Sequence, residues 1–113
     1  MSLVDAPAAI RTLLVPWPPG ATIVSPREQV DVVLFFVTGR ERLLARFQEL
    51  GRHVFPAGAL WICWPKRSSR VATDVTESVL REVVLPSGLV DTKVCALDAT
   101  WSGLQFVWRR ETR

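Results

Sequence analysis

The sequence predicts a single α/β domain over residues 1–113, built on a mainly parallel sheet with helices on both faces and closed by an antiparallel hairpin. Three observations carry that expectation. Segments 30–37 and 59–64 are almost continuously apolar and rich in β-branched or aromatic residues, the pattern of strands covered on both faces in a parallel sheet. Each is followed by apolar residues at helical spacing. The last quarter instead alternates polar and apolar residues around one turn-forming stretch, as a hairpin does. At 113 residues the chain is the size that one hydrophobic core serves.

Taken in order, residues 2–5 read as the end of a first strand, stopped by Pro7. Ala8, Ala9, Ile10, Leu13 and Leu14 follow at helical spacing. The Pro-Trp-Pro-Pro-Gly run at 16–20 ends that helix, because proline lacks the amide and clashes with the preceding turn. Residues 21–25 read as a short strand closed by Pro26. After the strand at 30–37, Thr38 and Glu41 form a T-x-x-E capping box, the hydroxyl accepting from a first-turn amide while the carboxylate reaches back. Leu43, Leu44, Phe47 and Leu50 place one apolar stripe on this helix, and Gly51 is its expected stop.

The strand at 59–64 ends at Pro65, and a polar loop covers 66–72. Asp74 and Glu77 then offer another capping pair. Val75, Val79, Val83 and Val84 give the next helix its buried face, and Pro86 and Gly88 close it. Segments 89–97 and 104–109 form the hairpin around a turn at 98–103, with Asp91 and Lys93 expected on one face of its first strand, where they can pair. The alternation of strand and helix implies a Rossmann-like three-layer fold.

Composition narrows the function classes. Apolar residues make up 49% and charged ones 22%, a globular rather than a disordered balance. Apolar runs are a strand's length, whereas a membrane helix needs roughly 20 residues. No basic start with an apolar stretch and small-residue cleavage site marks a secretory signal, so the expected location is the cytoplasm. The net charge of +3 gives a mild preference for anionic partners without the dense basic stripe of a nucleic-acid binder. Cys63 and Cys95 lie in apolar strand-like runs and are expected to be buried, reduced thiols. They are too few for a disulfide scaffold, and with His53 the sole histidine no spacing suits a metal. His53, at a helix end, has no partner of strand-turn-helix type, and no carboxylate pair is placed for acid–base work.

Four stretches, LWICWPKRSS at 60–69, TDVTE at 73–77, GLVDTKV at 88–94 and ATWSGL at 99–104, resemble a small bacterial family known as domain of unknown function 3052. The likeness runs from about Val4 to the end and is most specific from Trp64 to Trp108. It implies a fold but no established activity. This sequence departs from the family pattern, which has a leader ahead of the first strand where this one starts almost inside it, and glycine where this one has Arg70. The topology is also similar to the class I methyltransferase fold in truncated form. That likeness implies that the strand at 104–109 inserts antiparallel between those at 59–64 and 89–97.

Enzymes of that build hold their cofactor at the first strand-to-helix turn, where glycines let the backbone approach the ligand. The matching turn here, VDAPA at 4–8, has none, and Ser25-Pro26-Arg27 stands where an acidic residue would hold a ribose, with Glu28 a weak substitute. No cofactor is therefore expected. The best remaining candidate is the loop after Trp64, since ligands of open α/β sheets bind beyond the carboxyl ends of the strands. Lys66, Arg67, Ser68 and Ser69, with Thr73 and Asp74 at the next helix start, suit a phosphate or carboxylate. The competing reading is a solvated loop in which Thr73 or Asp74 caps the helix and Asp74 and Glu77 repel an anion. Lys93 and Trp101 belong to a second polar cluster with Asp91, Asp98, Thr100 and Ser102; Trp101 either stacks on a ligand or folds back over the sheet. Of five tryptophans, Trp61, Trp64 and Trp108 are expected in the core. Trp17 is either an anchor for another chain or a cover for the first helix.

These readings point to a non-catalytic interaction or regulatory domain on a degenerate methyltransferase-like scaffold, with a second copy or another protein as partner. The alternative is a binder of a small anionic or nucleotide-like ligand through 66–70. An enzyme of unassigned chemistry is the third reading, because scaffolds of this kind host many functions.

Overall fold

The computed structural model describes residues 2–5, 7 and 31–109. Its strands are β1 (Ser2–Val4), β2 (Val32–Phe36), β3 (Ala59–Pro65), β4 (Leu89–Ala96) and β5 (Trp101–Trp108). Helix α1 (Arg40–Val54) joins β2 to β3, and α2 (Glu77–Val84) lies between β3 and β4. The sheet order is β1-β2-β3-β5-β4. Strands β1, β2 and β3 pair in parallel, and β5 inserts antiparallel between β3 and β4, as the methyltransferase-like topology implies. Four strands thus run one way and one against them.

Both described crossovers step toward the same edge of the sheet, and right-handed connections then put both helices on one face. Leu43, Phe47, Leu50 and Val54 of α1 and Leu80 and Val84 of α2 share a core with Val33, Phe35, Leu60, Ile62, Leu104 and Phe106. On the opposite face Leu3, Phe36 and Cys63 are buried, with Leu34, Trp61, Leu97 and Trp101 packed against them. The helix expected over 8–14, the strand over 21–25 and Trp17 lie outside the described residues.

Local structure departs from the sequence expectations where tertiary contacts override local signals. Gly51 does not stop α1, which runs on to Val54. Gly51 is buried because the Trp108 indole lies on it, Nε1 donating to the Gly51 carbonyl at 2.9 Å. Leu44, counted in the apolar stripe, is exposed. The Thr38–Glu41 capping box does not form, since Gly39 is the N-cap and no side chain of its own caps the helix. Helix α2 starts at Glu77, capped by Thr76, whose hydroxyl accepts from the Val79 amide at 3.2 Å.

The hairpin turn is shorter than expected. Asp98 accepts at its carboxylate from the amides of Thr100 and Trp101 at 2.8 and 2.7 Å, so β5 already begins at Trp101. A bulge between Asp91 and Lys93 inserts one residue and turns their side chains to opposite faces, so the two do not pair. Asp91 accepts from Arg81 Nε at 3.1 Å, while Lys93 Nζ stands 5.9 Å over the Trp61 ring. Cys95 is exposed rather than buried, and Cys63 is buried. Gly103 is the register partner of both, which separates the cysteines by two strand spacings, about 10 Å. That exceeds the span of a disulfide.

Candidate functional site

Strands β1, β2 and β3 end at one rim of the sheet, where open α/β folds bind ligands. At the end of β1, Asp5 adopts a left-handed conformation, φ 57°. Its carboxylate accepts from Arg42 Nε and Nη2 at 3.1 and 3.0 Å, so the first residue beyond the strand is tied to the start of α1. At the end of β2, the α1 N-terminus receives its cap from a distant loop. The Asp74 carboxylate accepts from the Arg40 amide at 2.6 Å. Next to it the Thr73 hydroxyl donates to the Thr38 carbonyl at 2.6 Å and accepts from the Val75 amide at 3.0 Å.

The end of β3 is fastened to the hairpin. The Lys66 amide donates to the Thr100 carbonyl at 2.7 Å, and Lys66 Nζ donates to the Asp98 carbonyl at 2.6 Å. The Ser69 hydroxyl donates to the Lys66 carbonyl at 2.7 Å, closing the short 3-10 turn Arg67–Ser69. Arg70 follows in the left-handed region at φ 61°.

Between this turn and the start of α2 lies a cleft of about 550 Å³. Trp64 and Pro65 come to it from the end of β3, Arg67 and Val71 from the loop, and Val75, Thr76, Glu77 and Ser78 from the approach to α2. Glu77 is engaged, since its carboxylate accepts from Arg81 Nη1 at 2.6 Å. The hydrogen bonds of Glu77 first, and of Asp91 second, raise the Arg81 pKa further, so the charge of that carboxylate is balanced locally.

Of the residues singled out in the sequence, Arg67 and Thr73 line this cleft. Lys66, Ser69 and Asp74 make the internal bonds just given, and Ser68 is exposed on the turn. Asp74 does cap a helix, but it caps α1 and not the one that follows it. Lys93 and Trp101 lie away from the cleft on the other face of the sheet. There Trp101 folds back edge-on against Phe36, with ring centroids 5.3 Å apart. Trp64, Val71, Val75, Thr76 and Ser78 were not anticipated as lining residues. The apolar ones look like core or loop in the sequence, and only the fold brings them beside Arg67.

The fold defines a class: a truncated Rossmann-like sheet of methyltransferase topology. No family model matches the chain, and no curated protein matches it. Among solved structures it is similar to magnesium protoporphyrin IX methyltransferase (ChlM) from Synechocystis PCC 6803 with bound SAM. The TM-score is 0.60 at 12% identity, over 89% of this chain and 51% of that one. The same enzyme with bound SAH gives 0.59 at 11%, over 87% and 55%. LepI in complex with SAM gives 0.51 at 12%, over 96% of this chain and 36% of that one. The chain thus spans about half the length of the methyltransferase it matches. At these identities the likeness shows the fold alone.

Proposed function

We propose that this chain is a non-catalytic interaction or regulatory domain on a methyltransferase-like scaffold whose cofactor end is closed by its own side chains. The solved neighbours were determined with SAM or SAH bound, and a group of that kind needs a glycine turn after the first strand. The residues present do not fit it. The turn at 4–8 has no glycine, and the one observation that carries the reading is the Asp5–Arg42 pair at the end of β1. In this reading the Asp5–Arg42 pair takes the end of β1, and none of the residues 4–8 is the glycine that lets a ligand approach the backbone.

The four sequence stretches quoted above support membership of the domain of unknown function 3052 family. Arg70 departs from that family's pattern, which has glycine there; residue 70 stands at φ 61°, a conformation glycine adopts without penalty. The partner in this reading is a second copy or another protein. Thermal unfolding in the presence of SAM and SAH tests it. A ligand bound only by the native state raises stability by RT ln(1 + [L]/Kd), about 2.7 kcal/mol at a hundredfold excess over Kd. The expected result is an unchanged Tm with both compounds; a concentration-dependent rise would contradict the reading.

A further inference from the structure

The cleft at the end of β3 is large enough for a ligand and chemically two-sided. Its volume, about 550 Å³, falls in the range of small-molecule sites. One wall is apolar: Trp64 and Pro65 from the sheet, Val75 from the approach to α2, and Val71, which is 42% exposed. The other side brings Arg67 and Ser78, while the Thr73 and Thr76 hydroxyls there are engaged with backbone groups.

Charge then selects the ligand. Among the described residues Arg67 is the one basic residue lining the cleft, and the one carboxylate there, Glu77, is held at 2.6 Å by Arg81. A guanidinium presents a planar fork that matches a carboxylate with two parallel hydrogen bonds. A dianionic phosphate would meet one cation and the nearby Glu77, so a monoanion is better matched. We propose that this cleft binds a small monocarboxylate with an apolar, ring-sized body, the carboxylate on Arg67 and the body against Trp64, Val71 and Val75. The loop 66–70 as a whole is not the site, because Lys66 and Ser69 are spent on internal bonds. This inference is independent of the closed cofactor end: it concerns β3 and α2, and SAM binding at β1 tests the other claim alone.

Chemical-shift titrations of the labelled protein with three ring compounds of equal size, benzoate, benzyl alcohol and benzamidine, separate the possibilities. Benzoate is expected to give saturable shifts confined to the amides of Trp64, Lys66 and Arg67 and of residues 75–78. Benzyl alcohol is expected to bind about tenfold more weakly, a difference of 1.4 kcal/mol, and benzamidine not to bind there. Arg67→Ala weakens benzoate by a similar factor, and Val71→Ser weakens benzoate while leaving acetate unchanged. Both residues are exposed, so the variants keep the wild-type fold, which their remaining amide signals verify. Benzamidine binding as well as benzoate, benzoate shifts outside the cleft, no saturable shift at all, or wild-type affinity in Arg67→Ala would each overturn the proposal.

Discussion

Arg70 closes the turn after β3 with φ 61° and ψ 12°, where an L-residue other than glycine pays about 1–2 kcal/mol in steric crowding. Replacing it with glycine removes that cost and adds about 0.5–1 kcal/mol of unfolded-state entropy. Arg70→Gly is therefore expected to stabilise the protein by about 0.5–1 kcal/mol in urea unfolding. The thiols give a second residue-scale prediction. Burial, and to a smaller extent Cys95, push the Cys63 thiol far above its ordinary value of 9.0. The native protein should thus show one thiol reacting promptly with an aromatic disulfide reagent, Cys95, and a second only on unfolding. The sign of the pH effect follows from the same shift. The folded thiol keeps its proton while the unfolded one loses it, so the contribution of Cys63 is complete below about pH 9 and falls as pH rises through that value. The slope approaches about 1.4 kcal/mol per pH unit and is absent from Cys63→Ala. Both cysteines look alike in the sequence; among the described strands β3 is an inner one and β4 an edge, and that difference belongs to the sheet order.

At the scale of elements, the caps show how far sequence reading reaches. Helices α1 and α2 are signalled by their apolar spacing, and both exist. Their starts are not where the nearest capping signal puts them. Thr38 and Glu41 match the local pattern, yet Asp74, 34 residues away from Arg40, supplies the cap. The local rule assumes that the cap comes from the same stretch of chain, and here a loop fastened to the β2–α1 turn by Thr73 is already in place to provide it. Asp74→Ala is expected to cost about 1–2 kcal/mol, as loss of a helix cap does, while Glu41→Ala costs little. Equilibrium unfolding of the two variants distinguishes the distant cap from the local one. Gly51 fails as a stop signal for a related reason. A Cβ there would lie 3.2 Å from Leu89 Cδ1 and 3.5 Å from Trp108 Cζ2, so the glycine makes room for β4 and β5. Gly51→Ala should consequently gain less than the about 1 kcal/mol that the same change gives in an open helix.

The whole molecule was the most legible level. Alternating strand and helix signals, followed by a polar–apolar hairpin, led to a mainly parallel sheet closed by a hairpin, while the place of the reversed strand came from the resemblance to the methyltransferase topology. The candidate site was legible only in part. Strand ends point to the rim that holds the cleft, and Arg67 and Thr73 line it, but a row of cations and hydroxyls in sequence does not reveal that Lys66 turns to the hairpin or that Lys93 faces the other side. The absence of glycine after the first strand was visible, and the Asp5–Arg42 pair gives it a structural counterpart. The proposed function stands on this pair and on the glycine-free stretch 4–8 being unsuited to an adenosyl cofactor. Calorimetric titration of the protein with SAH tests that claim most directly. No saturable heat is expected up to the solubility limit of the ligand; a one-to-one isotherm that Arg42→Ala or Asp5→Ala alters would contradict the proposed function.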